Sequence, residues 1–337
     1  MKTNVNLLPY NSFGINAIAR QFVEITDTES LLKLIRRGEL KGQNILILGG
    51  GNNILLTEEV FDGTVIFMNN KGIKQVVNEG NKVVVRVQAG EDWPSFVAQM
   101  VAKGLYGVEN LAHIPGKVGA APIQNIGAYG MELKDSFVQC EAINLESGKK
   151  RVFDNKECVF GYRSSIFKTM LRGQYVITSV DIQLSKQAEL KLDYGNIKSY
   201  LELRGIENPS LQQLHDAICE IRDHKLPDPK KTGNAGSFFK NPIIDKTTFD
   251  DLQAKFKDIP SFNEPNGKIK IPAGWLIEQC GWKGFNEGNV GVYDKQALVL
   301  VNNGGGTGKD IISLAKKIEQ SVNDKFGIKL TAEVNFV

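Results

Sequence analysis

Apolar positions change their period several times along the chain, and each change marks an element. Leu31, Leu32, Leu34 and Ile35 recur at helical spacing, with Thr26-x-x-Glu29 as a capping box and Gly38 as the stop. Asn44–Leu48 is a short apolar run, predicted as a buried strand entering Gly49-Gly50-Gly51-Asn52-Asn53. Thr64–Met68 and the Val-rich Lys82–Ala89 read as further strands. Pro94, a first-turn residue, opens a helix that closes at Gly104. Strands follow around Phe137–Asn144 and Tyr175–Leu184.

Composition shifts at Asn208-Pro209. From Ser210 to Asp223, Leu211, Leu214, Ile218 and Ile221 predict a helix of about four turns. Lys225–Lys231 breaks it and reads as an exposed connector. Helical patterns return at Thr247–Lys257, Ala273–Cys280 and Asp310–Phe326, with strands at Ala297–Val301 and Ile328–Val337. No internal repeat or low-complexity tract interrupts them. The pattern describes an α+β protein with a long first portion and a smaller C-terminal domain.

A length of 337 residues predicts roughly two domains. The net charge of +3 is too small to argue for a nucleic-acid partner, and the basic residues are scattered. Apolar runs such as Ala297–Val301 are too short to span a bilayer, and Met1–Asn6 carries no apolar signal core. Cys140, Cys158, Cys219 and Cys280 are widely spaced and read as buried thiols in a reducing compartment. Three histidines without helical pairing give no metal site. A cytoplasmic enzyme or binding protein is the expected class.

One segment departs from every regular period. Ile114–Gly130 (IPGKVGAAPIQNIGAYG) holds four Gly, three Ala and two Pro, so neither helix nor strand can run through it. It is also too apolar for a solvated loop. Small-residue backbone of this kind suits close approach to a large flat ligand, with Gln124 and Asn125 supplying directed hydrogen bonds. A tight crossover between packed layers explains the composition equally well.

Two glycine runs imitate nucleotide motifs. Gly49-Gly50-Gly51-Asn52-Asn53-Ile54 follows a strand, but Ile54 fills the third glycine position and β-like sequence follows, so a Rossmann phosphate turn is excluded. Clustered backbone N–H groups in such a turn can still bind pyrophosphate. Gly304–Asp310 resembles a Walker A loop, yet Asn303 and Asp310 stand where a Gly and a magnesium-holding hydroxyl are required. It is predicted to be a flexible strand-to-helix turn.

Three polar constellations remain: Gly161-Tyr162-Arg163-Ser164-Ser165, Asn234-Ala235-Gly236-Ser237-Phe238-Phe239-Lys240-Asn241, and Thr331–Phe336. In the last, alternation sets Ala332, Val334 and Phe336 on one face and Glu333 on the other. Singly, Arg163 reads as an ion-pair partner, Ser237 as a turn hydroxyl and Glu333 as a solvent-face residue. Ser237 lacks the G-x-S-x-G elbow of a nucleophile and has no evident base. It is better suited to giving a proton to an enolate held by Arg163 and polarised by Glu333.

With these residues in order, the chain resembles the UDP-N-acetylenolpyruvoylglucosamine reductase family over essentially its whole length. The carriers are Gly49–Asn53, Ile114–Gly130, Gly161–Phe167, Gly236–Pro242, Gly274–Cys280 and the terminal Glu333-Val334. The resemblance implies a two-subdomain FAD-binding fold of the vanillyl-alcohol-oxidase type plus a smaller C-terminal α+β substrate domain. Residues 1–70 and 71–205 would be the FAD-binding subdomains, 206–325 the substrate domain, and 326–337 a strand carrying Glu333. FAD, held without a covalent link, would contact Gly49, Gly50, Gly51, Asn52, Asn53, Ile114, Pro115, Gly116, Gly119, Ala121, Gln124, Asn125 and Gly127.

The implied reaction serves peptidoglycan precursor synthesis. NADPH would reduce the flavin, and the enolpyruvyl sugar nucleotide would then receive hydride at C3 and a proton from Ser237 at C2. Arg163 and Glu333 would stabilise the enolate. Tyr194, in the loop Leu192–Lys198, resembles the tyrosine that covers the diphosphate in the longer type of the family. Arg222, Lys225, Lys240 and Asn241 match positions around that diphosphate. The protein is expected to be monomeric, with a small-molecule nucleotide sugar as its partner and neither nucleic acid nor membrane. Asn52 stands where Ser is common, and Ser164 where an Asp is frequent after the arginine; if that Asp orients the arginine, Arg163 is expected to be less rigidly held here. The rival readings are an FAD-dependent sugar or alcohol oxidase, a non-catalytic nucleotide-sugar binder and a serine hydrolase.

Overall fold

Two sheets share one core in the first part of the molecule. The computed structural model describes residues 1–337, the Asn266 side chain excepted. Lys2–Asn6, Ile18–Ile25, Val60–Met68 and Ile45–Leu48 form a four-stranded sheet in that order, its last pair parallel with Ile45 opposite Thr64. Lys150–Asp154, Phe137–Asn144, Tyr175–Ser185, Lys82–Gln88 and Ile73–Glu79 form a five-stranded sheet whose neighbours are all antiparallel. Helix α1 (Thr28–Arg36) buries Leu31 and Leu32 among Ile25 and Ile66 of the first sheet and Ile143 and Val176 of the second. Its cap is Asp27 rather than Thr26: the Asp27 carboxylate accepts from the Ser30 N–H at 2.8 Å and the Ser30 hydroxyl at 2.7 Å.

Helix α2 (Trp93–Ala102) is capped by Asp92 and packs Trp93, Phe96, Val97 and Met100 against the five-stranded sheet. Helix α3 (Ile197–Glu202) follows the Tyr194 loop. Helix α4 (Leu211–Lys225) buries Leu211, Leu214, Ala217, Ile218 and Ile221 in the same core. At about 1.5–3 kcal/mol for each large aliphatic side chain, that stripe ties the helix firmly to the first unit. The chain divides into Met1–Val5, Ala19–Gly51 and Asp62–His224 as one compact unit, and Asn6–Ile18, Asn52–Phe61 and Lys225–Val337 as the other.

The second unit recruits its two N-terminal segments through hydrogen bonds that the sequence does not announce. The buried Asn302 amide donates to the Phe13 carbonyl at 2.9 Å, and the Asn234 N–H donates to the Ser12 carbonyl at 2.9 Å. Asn335–Phe336 pairs in parallel with Ile54–Leu55. This unit also holds α5 (Lys246–Lys255), α6 (Ala273–Gln279), α7 (Gly308–Phe326) and two small three-stranded sheets.

Several expected elements contract or shift. The strand expected at Ile328–Val337 is a ladder only at Asn335–Phe336, with an isolated bridge from Ala332 to Phe239. Phe336 is exposed rather than sharing a buried face with Val334. The strand expected at 297–301 is found at Leu300–Asn302, because the Val299 N–H turns back onto the Gln296 carbonyl. Asp310, which disqualified the Walker reading, forms a reciprocal capping box with Thr307 at the start of α7. Cys140 and Cys158 are buried, whereas Cys219 and Cys280 are only partly so.

Candidate functional site

In the first unit the irregular segment is a chain of tight turns. Val118–Ile123 is a 3-10 helix, and Gly127–Ala128 pairs with Met131–Glu132 in a small hairpin. Asn125 and Tyr129 have left-handed backbone, at φ +46° and +47°, and Gly116 lies at φ +135°. A methyl group on Gly119 would lie 2.5 Å from the Ala89 Cβ, so only glycine lets this backbone reach the layer below. A methyl on Gly49 would sit 3.4 Å from the Lys117 Cβ and 3.5 Å from the Ala120 Cβ. The Gly49–Gly51 turn and the small-residue loop are therefore neighbours, and together they offer the Cβ-poor backbone that a flat cofactor and its diphosphate require.

Arg163 is fastened to this loop. It occupies a turn at φ +52°, closed by reciprocal backbone bonds between Gly161 and Ser164, and its Nη2 donates to the Gly127 carbonyl at 2.9 Å. The buried Ser165 hydroxyl ties the next residue to the Ile123 carbonyl at 2.7 Å. Asn125, fully buried, donates to Glu132 Oε2 at 3.0 Å and to the Gly161 carbonyl at 3.2 Å, while its Oδ1 accepts from the Lys134 N–H at 3.0 Å. Its side-chain amide is committed to protein partners and holds the loop.

A second cationic group stands close by. Arg222 Nε donates to the His113 carbonyl at 3.0 Å, and His113 pairs with Asp223 at 2.7 Å. Burial lowers the Arg222 pKa; the Tyr129 hydroxyl opposes that shift and the Arg163 cation adds to it. Burial raises the Tyr129 pKa, partly countered by Arg222. Tyr194 lies over the hairpin turn, where a Cβ on Gly130 would be 3.2 Å from its ring. Asn110 holds both sides of this arrangement by donating to the Tyr129 and Lys191 carbonyls. Tyr129, His113 and Asn110 were not singled out as site residues. Tyr129 lies within Ile114–Gly130, and its proximity to Arg222 depends on a packing contact distant in sequence.

In the second unit the Ser237 segment is extended between two others. Ser237 bridges Val299, the Phe238 N–H donates to the Leu298 carbonyl at 2.8 Å, and the Glu333 N–H donates to the Phe238 carbonyl at 2.8 Å. Ser237 and Glu333 thus lie on adjoining extended segments. Asn53 joins them, its amide reaching the Glu333 carbonyl at 3.4 Å and its own carbonyl accepting from Asn335. Gly236, at φ +69°, and the buried Asn234 shape the approach to Ser237: the Asn234 amide donates to the Thr232 and Pro227 carbonyls and accepts from the Gly236 N–H. Asn241 caps α6 by accepting from the Ala273 N–H at 2.9 Å. Lys240 lies on the Ser237 segment, bonded through its N–H to the Thr331 carbonyl, and Lys225 ends α4 instead of opening the connector.

Residues 228–337 match the family model described as the UDP-N-acetylenolpyruvoylglucosamine reductase C-terminal domain, and residues 19–153 match an FAD-binding domain. A UDP-N-acetylenolpyruvoylglucosamine reductase of Flavobacterium johnsoniae is 44% identical, covering 100% of this chain and 99% of its own length. The chain belongs to the UDP-N-acetylenolpyruvoylglucosamine reductase family. A Bacteroides fragilis relative of the same name is also 44% identical, with full coverage of both chains. The crystal structure of a UDP-N-acetylenolpyruvylglucosamine reductase from Thermus caldophilus shares the fold at a TM-score of 0.68 and 22% identity, covering 98% of this chain and 97% of its own. The cofactor of this reductase-family chain is FAD and its chemistry is oxidoreduction, as the resemblance implied.

Proposed function

We propose that this chain reduces the enolpyruvyl group of UDP-N-acetylglucosamine enolpyruvate, giving UDP-N-acetylmuramate, with NADPH as the reductant. When bound, FAD carries electrons from NADPH to substrate C3. The residues of the chain supply binding, charge and the proton. Arg163 binds the substrate carboxylate and holds the negative charge that develops on it, and Glu333 polarises the same carboxylate. The Ser237 hydroxyl gives its proton to C2, since an enolate is basic enough to take one from an alcohol.

Tyr194, Arg222, Lys225 and Lys240 bind the nucleotide diphosphate, where cationic and hydroxyl donors suit phosphate oxygens. Asn241 orders that region through α6. Backbone groups of Gly49, Gly50, Gly51, Ile114, Pro115, Gly116, Gly119, Ala121 and Gly127, with Gln124, Asn52 and Asn53, receive FAD. The observation that carries this reading is the bond from Arg163 to the Gly127 carbonyl, which joins the carboxylate-binding cation to the cofactor loop. We also assign the enzyme to the cytoplasm, the compartment of its nucleotide-sugar substrate class.

Anaerobic titration tests the reading. NADPH should bleach the visible flavin band, and the enolpyruvyl sugar nucleotide should restore it. Restoration by simple sugars or alcohols instead would favour an oxidase. A colourless protein that takes up no flavin would point to a binder, and labelling of Ser237 by a fluorophosphonate to a hydrolase.

A further inference from the structure

Arg163 occupies a tight turn at φ +52°, so whatever holds that turn sets the arginine. Ser164 contributes backbone groups there, bonded at both ends to Gly161. The Asn125 amide reaches further. One side chain, none of it exposed, donates to the Gly161 carbonyl in the arginine's own turn and to Glu132, the residue paired with Gly127 across the hairpin. Gly127 carries the carbonyl that receives Arg163 Nη2. Asn125 therefore grips the arginine turn and the arginine's hydrogen-bond acceptor at the same time.

Asparagine suits this task for three reasons. It tolerates the left-handed backbone at φ +46°. Its NH2 carries two donors, and both are used. Its oxygen takes the Lys134 N–H, anchoring the far side of the hairpin. Glu132 is itself held by an ion pair to Lys134 at 2.6 Å.

We propose that Asn125 is a positioning residue for Arg163: it sets the direction of the guanidinium toward the substrate carboxylate and makes no contact with substrate itself. The inference rests on the carboxylate-binding role proposed for Arg163. Misplacing a charged group by an ångström or less is enough to lose a large part of its effect on a rate.

The test is a double-mutant cycle read on separated half-reactions of the FAD-loaded protein. Asn125→Ala should slow flavin reoxidation by the enolpyruvyl substrate roughly ten- to a hundred-fold. In an Arg163→Ala background the same change should slow it less than about two-fold, because no guanidinium is left to misplace. Asn125→Asp supplies the second readout. It keeps the shape and the Lys134 acceptor but replaces both donors with a carboxylate facing Glu132, and a proton restores one donor. Its reoxidation rate should therefore recover as pH falls, while Asn125→Ala shows no such recovery. Equal losses in both arginine backgrounds, or an Asn125→Asp profile parallel to that of Asn125→Ala, would overturn the inference alone. A normal reoxidation rate in Arg163→Ala would remove the role proposed for Arg163 and this inference with it.

Discussion

The loop at Ile114–Gly130 and the extended segment around Ser237 reach order by different means. In the loop, side chains do the fastening: Asn125, Ser165 and Arg163 each reach a backbone carbonyl, and glycines remove the Cβ atoms that would keep layers apart. Around Ser237 the fastening is mostly backbone to backbone, through Leu298 on one side and the Glu333 segment on the other. A backbone ladder is indifferent to side-chain identity, which leaves Ser237 and Glu333 open to change without loss of fold. The loop has no such latitude, since its side chains are the scaffold.

The largest effect expected from that contrast is at Ser237. Ser237→Ala should slow flavin reoxidation by substrate by roughly a hundred- to ten-thousand-fold. Flavin reduction by NADPH and the thermal midpoint should stay near normal, because the ladder survives. Stopped-flow measurement of the two half-reactions decides it, and an equal loss in the first would contradict the assignment.

Asn234 is the exception on the ladder side, a buried side chain making three hydrogen bonds beneath Gly236. Asn234→Ala should cost about 2–3 kcal/mol from the backbone groups it strands, read by denaturant unfolding. A cost near zero would mean that backbone pairing alone shapes this segment.

On the loop side, Gly119→Ala forces a methyl against Ala89 and should destabilise by about 1–3 kcal/mol through overpacking. Flavin should also be released more readily on dilution, measured by the recovery of free-flavin fluorescence. Retention of cofactor with unchanged stability would show that the loop can relax where its geometry says it cannot.

The smallest effect concerns pH. Burial pushes the Cys219 thiol on α4 up to about 11 from its ordinary 9.0, with the nearby Asp216 carboxylate adding to the shift. Between those values the folded protein keeps a proton that the unfolded chain releases, so stability falls as pH rises from 9.0 to 11. Cys219→Ala should flatten that part of the curve while leaving neutral-pH stability little changed. An unaltered slope would place the alkaline loss elsewhere, with the half-buried Tyr129 as the next group to substitute.

Much of this architecture was legible in local pattern. The helices at Thr28–Arg36, Trp93–Ala102, Leu211–Lys225 and Gly308–Phe326 follow from apolar spacing and caps, and the errors there are of one or a few residues. Capping chemistry is local, so a neighbouring Asp27 can displace Thr26 without changing the helix. The failed Rossmann and Walker matches were also decided locally. Ile54 does begin a strand, and Asp310 does cap a helix. The functional motifs were legible because their residue types are costly to place at random: four glycines in one short apolar segment, or a serine before two buried phenylalanines.

What remained hidden depends on partners distant in the chain. Nothing in Asn208-Pro209 reveals that α4 faces the core of the first unit, since its apolar stripe would suit either side. The strand expected at Ile328–Val337 had the right alternation, but ladder length is set by the partner, and Ile54–Leu55 offers only two residues. Asn125 is legible from sequence as a hydrogen-bonding residue, but its side-chain partners at Gly161 and Glu132 are not. By itself the sequence determined the helices, the glycine turns, the family and the list of groups able to do chemistry, because these depend on residue type and spacing along one segment. The tertiary structure alone decided which carbonyl each side chain meets, because a hydrogen bond is fixed by direction in space, and direction comes from the packing of segments as far apart as Asn125 and Gly161.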